Sequence, residues 1–227
     1  MPVRSPLMFV FFDVGATLVE PAVDPALLAL DALKRSRPAA GLPDPALVGA
    51  LQAMGVVYEA GVDACRTLAD EAAFWQRVAV AGLRVLREPP DPDDVLAVAG
   101  ALGDYGPNFR VRPGMAGLLA DVRRAGLGLG IISNWPPSLP AFLRHHGLGP
   151  FDVLACSGAL GVTKPDPSIF RWALAQAGVP PSRAAHVGDD HERDYVPAKA
   201  LGMRAVWLEP HTTADDVRRA LGLQRAG

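Results

Sequence analysis

Only two cysteines occur in this 227-residue chain, Cys65 and Cys156, far apart and without CxxC spacing. That argues against a disulfide framework and against a cysteine-based zinc site. A reducing, cytoplasmic setting is expected. Charge of one sign is equally scarce: 22 Lys+Arg stand against 24 Asp+Glu, a formal net charge of -2, with no long block of either. The electrostatic footprint of a nucleic-acid or anionic-membrane partner is therefore missing. The N-terminal apolar run, about seven residues ending in an aspartate, is too short to span a bilayer and lacks a small-residue cleavage site. Internal repeats and low-complexity tracts are lacking too. What these absences leave is chemistry on a small molecule.

Hydrophobic residues make up 50% of the chain, enough for one substantial core and a smaller accessory domain. Met8-Phe9-Val10-Phe11-Phe12 is continuously apolar and aromatic, the pattern of a central strand covered on both faces. It delivers Asp13 at its C-terminal end. From about Glu20 to Tyr105 apolar residues recur at helical spacing, as in Phe74-Val78-Gly82-Val85, and proline-rich joints such as Glu88-Pro89-Pro90-Asp91-Pro92 separate the helices. After Val111-Arg112-Pro113-Gly114 helices and strands alternate, with strands at Leu127 to Ile132, Phe151 to Ala155, Ala184 to Val187 and Arg204 to Leu208. The prolines cluster at element joints, where they end helices and stiffen turns. This order predicts an α/β fold, a doubly wound parallel sheet formed by residues 1–20 and 111–227, with an all-helical cap inserted over residues 21–110.

In an open parallel sheet ligands bind beyond the carboxyl ends of the strands. Four segments stand there: Phe12-Asp13-Val14-Gly15-Ala16-Thr17-Leu18, Ser133-Asn134, Thr163-Lys164-Pro165-Asp166-Pro167 and Gly188-Asp189-Asp190-His191-Glu192-Arg193-Asp194. Carboxylates converging on one site repel one another, a divalent cation compensates, and all-oxygen donors favour magnesium over zinc. A lysine and a hydroxyl complement an anionic substrate. Each segment alone is weak, since aspartate, serine and asparagine are common in turns and caps. Their order and spacing carry the specificity.

In that order the four segments resemble the four motifs of the haloacid dehalogenase-like superfamily, and the match covers nearly the whole chain. The resemblance implies a Rossmann-like core with a cap that opens and closes over an active site lying between them, hinged near Glu20 and Arg112. It implies a Mg²⁺-dependent hydrolase acting on a small phosphorylated molecule, in which Asp13 attacks phosphorus to form an aspartyl-phosphate. Ser133 and Asn134 bind the phosphoryl group, and Lys164 steadies both nucleophile and phosphoryl charge. Asp13, the Gly15 carbonyl and Asp189 hold the metal, while Asp190 and Asp194 stand one step behind it.

One position departs from the family. Its phosphatases usually carry a second aspartate two residues after the nucleophile, which protonates the leaving alcohol and later activates water; here Gly15 stands there. A positioned general acid contributes roughly 10²–10⁴ in rate, so acyl and aryl phosphates are expected to turn over far better than alkyl phosphates. Glu20, Asp24 and His191 lie in the right segments to substitute. Two rivals remain open: a 2-haloacid dehalogenase, suggested by Ser133-Asn134, and a non-catalytic phosphate-ester-binding protein. Among other candidates, Trp135 either stacks on substrate or packs internally. Tyr58, Arg66, Trp75 and Arg77 are expected to serve packing or solvent, His145, His146 and His211 to be surface residues, and His186 to be a satisfied core histidine.

Overall fold

The computed structural model describes residues 6–36, 45–61, 64–86 and 89–223. The start of the apolar N-terminal segment, residues 1–5, and Glu88 of the proline-rich joint lie outside them. From the N-terminus, β1 (Phe9–Phe12) is followed by β2 (Val19–Pro21), then by α1 (Pro25–Ser36), α2 (Pro45–Gly61), α3 (Leu68–Leu86), α4 (Pro92–Gly103), α5 (Tyr105–Asn108) and β3 (Phe109–Val111). Next come α6 (Met115–Arg124), β4 (Gly128–Ser133), α7 (Leu139–His145), β5 (Val153–Cys156), α8 (Ser157–Leu160) and α9 (Pro167–Ala177). β6 (Ala184–Gly188), a π-helical turn at His191–Tyr195, α10 (Val196–Ala200), β7 (Arg204–Trp207) and α11 (Ala214–Leu221) complete the order.

The main sheet has five strands in the order β5-β4-β1-β6-β7, and every pairing is parallel. All residues of β1 are buried, which accounts for its unbroken apolar run: a central strand with helices on both faces has no solvent side on which to place a polar residue. This is the doubly wound α/β fold that the sequence predicts. Local signals fix the helix ends. Asp166 caps α9 by accepting from Ser168 N, Pro167 opens it, and Gly178 closes it in the left-handed conformation. A reciprocal capping box of Thr213 and Asp216 starts α11.

By its contacts the chain forms two compact units, Met1–Glu20 with Arg110–Trp135 and Leu139–Gly227, and Pro21–Phe109 with Pro136–Ser138. In the first, Phe11, Ile132, Ile169, Phe170 and Met203 pack beneath the sheet. In the second, Leu33, Leu47, Met54, Phe74, Val78 and Leu83 form a separate helical core. Burying one such large side chain contributes about 1.5–3 kcal/mol. Cys65 and Cys156 are buried free thiols. Among the described residues no helix is long and apolar enough to cross a membrane.

Two features are absent from the periodicity. β2 and β3 form a separate two-stranded sheet, too short for alternation to reveal. The turn before α10 is π-helical; it is set by Asp190, whose side chain accepts from Glu192 N and Arg193 N.

Candidate active site

Asp13 follows β1, and its N–H donates to Val187 O at 2.9 Å, extending the β1–β6 ladder by one residue. Its carboxylate is thereby held at the sheet's carboxyl edge, 7% exposed. Lys164 donates from Nζ to Asp13 Oδ1 at 2.7 Å and to Asp194 Oδ1 at 2.6 Å. Burial alone would depress the ammonium pKa, but Asp13 and Asp194 reverse this and raise it, so the lysine stays charged although 4% exposed.

The lysine's own position is set by Asn134. Asn134 Nδ2 donates to Lys164 O at 3.0 Å, and Lys164 N donates to Asn134 Oδ1 at 2.7 Å. The amide expected to bind substrate is thus engaged on both sides in orienting the lysine. Ser133 Oγ, by contrast, is buried and has no hydrogen-bond partner among the described residues. A buried hydroxyl without a partner is costly, and an oxygen-rich ligand would remove that cost.

Behind the lysine, Asp194 is 1% exposed. Burial would raise its pKa, yet hydrogen bonds from His186 and Lys164 bring it down to about 2. His186 Nε2 lies 2.8 Å from Asp194 Oδ1, the ring edge-on to Phe170 at 5.2 Å. Gly188 is required here: a Cβ would stand 2.3 Å from Asp194 Cγ. Asp189 differs in character. Burial, then the charge of Asp13, pushes its pKa up to about 6, against a hydrogen bond from Thr17 Oγ1 at 3.0 Å. Trp207 Nε1 donates to Asp189 O at 2.9 Å and fixes its backbone.

Ligand oxygens of Asp13, Asp189 and Asp194 lie within 4.8 Å of one another. One lysine cannot neutralise three carboxylates, and the raised pKa of Asp189 registers the deficit. A hard divalent cation fits such an all-oxygen cluster. Asp190 contributes differently from the expectation: its carboxylate caps the π-helical turn, and only its N–H reaches the cluster, donating to Asp194 Oδ2 at 3.2 Å.

The family model for haloacid dehalogenase-like hydrolases matches residues 8–202. The chain belongs to this family. It is 33% identical over 167 residues to a phosphoserine phosphatase of Thermus thermophilus, an alignment covering 63% of this chain and 66% of that one. The chain spans about half to two thirds of the length of the curated relatives it matches first. The fold is shared with a 2-haloacid dehalogenase of Pseudomonas syringae (TM-score 0.67, 23% identity, 95% of this chain and 98% of that chain). It is also shared with a HAD phosphatase of Thermococcus onnurineus (TM-score 0.60, 22% identity, 97% and 100%). At such identities the two structures attest the fold alone.

At the haloacid dehalogenase-like position for a general acid, Gly15 has no side chain. A Cβ there would stand 3.7 Å from Trp135 Cζ3, an ordinary contact. The three residues considered as substitutes are otherwise engaged. Glu20 Oε1 accepts from Arg110 Nε at 2.8 Å, and Glu20 lines a pocket of about 300 Å³ with Ala16, Arg112, Asp189 and Glu209. Asp24 Oδ1 accepts from Ala26 N at the start of α1. His191 Nδ1 lies 2.9 Å from Glu192 Oε1, the ring stacked on Tyr195.

Thr17 and His186 escaped the sequence reading as site residues. Thr17 carried a readable signal, a hydroxyl in the nucleophile's own loop; His186 carried none, because its partner is eight residues away across a turn. In the helical unit Trp75 packs on Phe74 at 5.1 Å, Arg77 lies over the Phe74 ring, and Arg66 and Tyr58 are exposed. His145 and His211 are exposed as expected, whereas His146, just past the end of α7, is half-buried because it packs on the Phe142 ring at 4.6 Å.

Proposed function

We propose that this hydrolase is a Mg²⁺-dependent phosphatase of small phosphorylated metabolites, working through an aspartyl-phosphate on Asp13 and restricted to leaving groups that depart without protonation. The observation that carries the reading is Lys164 Nζ bridging Asp13 and Asp194 at 2.7 and 2.6 Å, together with a buried Ser133 hydroxyl at the end of β4 that lacks a partner among the described residues. A carboxylate becomes a usable nucleophile toward an anion once its charge is oriented and repulsion is cancelled. Lys164 supplies both.

Asp13 attacks phosphorus through one carboxylate oxygen, the bond from phosphorus to the leaving oxygen breaks, and the leaving group departs as an anion. Water then attacks phosphorus, the bond from phosphorus to the Asp13 oxygen breaks, and the protons of that water leave with inorganic phosphate or pass to solvent, which regenerates the Asp13 carboxylate. Ser133 Oγ donates to a phosphoryl oxygen, while Asn134 keeps Lys164 in register. Asp13, the Gly15 carbonyl and Asp189 are the residues that would hold Mg²⁺, with Asp194 anchoring Lys164. When bound, the ion neutralises phosphoryl charge and orients the substrate in line. That the Thermus relative is a phosphoserine phosphatase supports phosphate chemistry over dehalogenation. So does an acidic cluster that a metal-free dehalogenase would have no reason to assemble.

The test is Mg²⁺-dependent phosphate release from 4-nitrophenyl phosphate and acetyl phosphate by wild type and Asp13→Asn. Turnover that disappears in Asp13→Asn and on chelation is expected. Chloride release from a 2-chloro acid without metal would instead establish the dehalogenase. Phosphate-ester binding with no turnover of either substrate would establish the binding protein.

A further inference from the structure

We infer that Trp135 is a specificity-determining residue that walls the leaving-group side of the site with hydrocarbon and selects substrates whose leaving group presents a flat apolar face, such as aryl phosphates. The inference deepens the phosphatase reading above and rests on it. It starts from one contact: the benzo ring of Trp135, at Cζ3, is 3.7 Å from where the first side-chain atom of residue 15 would stand. The volume into which a general acid would project is therefore faced by an indole.

That indole is held in place. The ring lies 4.7 Å from the Phe142 ring, and the main chain that carries it is pinned on both sides: the Trp135 backbone N–H donates to Ser157 Oγ at 3.1 Å, and the Trp135 carbonyl accepts from Gly158 N at 3.0 Å. A ring fixed before binding loses no rotamer freedom when a ligand stacks on it. Trp135 also follows Ser133 and Asn134 directly, so the wall and the phosphoryl-binding hydroxyl share one short backbone segment. The two features act in the same sense. Gly15 withholds a proton from the leaving oxygen, and an aryl oxide, which delocalises its charge into the ring, needs none; the same ring is what Trp135 can stack on.

The test uses binding of non-hydrolysable probes, so that it is independent of turnover. Calorimetry on the Mg²⁺-loaded protein compares phenylphosphonate with methylphosphonate in wild type, Trp135→Phe and Trp135→Leu. Trp135→Phe keeps a ring against Phe142 but withdraws the benzo ring from Gly15, and methylphosphonate affinity reports whether the phosphate site is still folded. Wild type is expected to prefer phenylphosphonate by about three- to tenfold, the span that an aromatic pair corresponds to. Both variants should bring that ratio toward one while holding methylphosphonate affinity within about twofold of wild type. A wild type without preference, a ratio unchanged in both variants, or equal loss of both probes would overturn the inference, the last assigning Trp135 to packing. If the ratio responds as expected but no phosphate ester is hydrolysed, the catalytic reading falls and the wall stands.

Discussion

Replacing Gly15 by aspartate reintroduces the side chain whose absence sets this chain apart within its family, and the structure bears on how large the effect should be. Among the described residues the new Cβ meets only Trp135 Cζ3 at 3.7 Å, and the backbone at residue 15 is not left-handed, so the substitution needs no main-chain rearrangement. Stability should change by no more than about 1 kcal/mol, since the loss of glycine's freedom in the unfolded chain offsets small local costs. A positioned general acid is worth roughly 10²–10⁴ in rate. Thr17 is already bonded to Asp189 and Lys164 to Asp13 and Asp194, which leaves nothing among them to fix the new carboxylate's rotamer. The gain should therefore sit at the lower end, about 10² in kcat/KM. The assay is phosphate release from an alkyl phosphate beside 4-nitrophenyl phosphate, with Mg²⁺ and with Asp13→Asn/Gly15→Asp as the background. The alkyl kcat/KM should rise while the aryl kcat/KM, which reports only the steps up to departure of the leaving group, changes little. A folded Gly15→Asp protein in which both kcat/KM values move by the same factor would refute the argument that proton delivery to the leaving group is what the wild type lacks.

Thr17→Val removes the hydroxyl that holds Asp189 Oδ1; Mg²⁺ affinity measured by calorimetry should fall by about tenfold or more with little change in melting temperature, and an unchanged affinity would exclude Thr17 from orienting the metal-binding carboxylate. Glu71, buried at 6% exposure, has its pKa raised by burial against the opposing hydrogen bonds of Ser138, at 3.0 Å from N and 2.7 Å from Oγ. Its folded state binds the proton more tightly than the unfolded state, so stability should decline as pH rises from the ordinary carboxylate value to the raised one, by at most about 1.4 kcal/mol per pH unit; denaturant titrations should show Glu71→Gln lacking that decline. Asp121 is held low chiefly by Arg218, with Arg124 assisting, so its contribution is present above the unfolded carboxylate pKa and lost as pH falls through the lower folded value. Asp121→Asn should cost about 2 kcal/mol at neutral pH in urea unfolding, and a difference from wild type that persists unchanged into acid would contradict this assignment.

The fold class and the strand-end residues are legible in local patterning alone. A central parallel strand must be apolar on both faces, so Phe9 to Phe12 announced both itself and the position of Asp13, and proline, aspartate and glycine marked the bounds of α9 through local hydrogen bonds. Those are short-range effects. How the side chains share their hydrogen bonds emerges only once the chain is folded. Asn134 grips the Lys164 backbone, Asp190 caps the turn after β6, His186 and Lys164 together lower Asp194, and Thr17 takes Asp189. Asp13 and Lys164 are 151 residues apart in sequence, as Thr17 and Asp189 are 172 apart; no periodicity encodes such contacts. They exist because parallel strands bring their carboxyl ends to one edge, where burial and mutual charge, rather than residue type, set what each carboxylate can do.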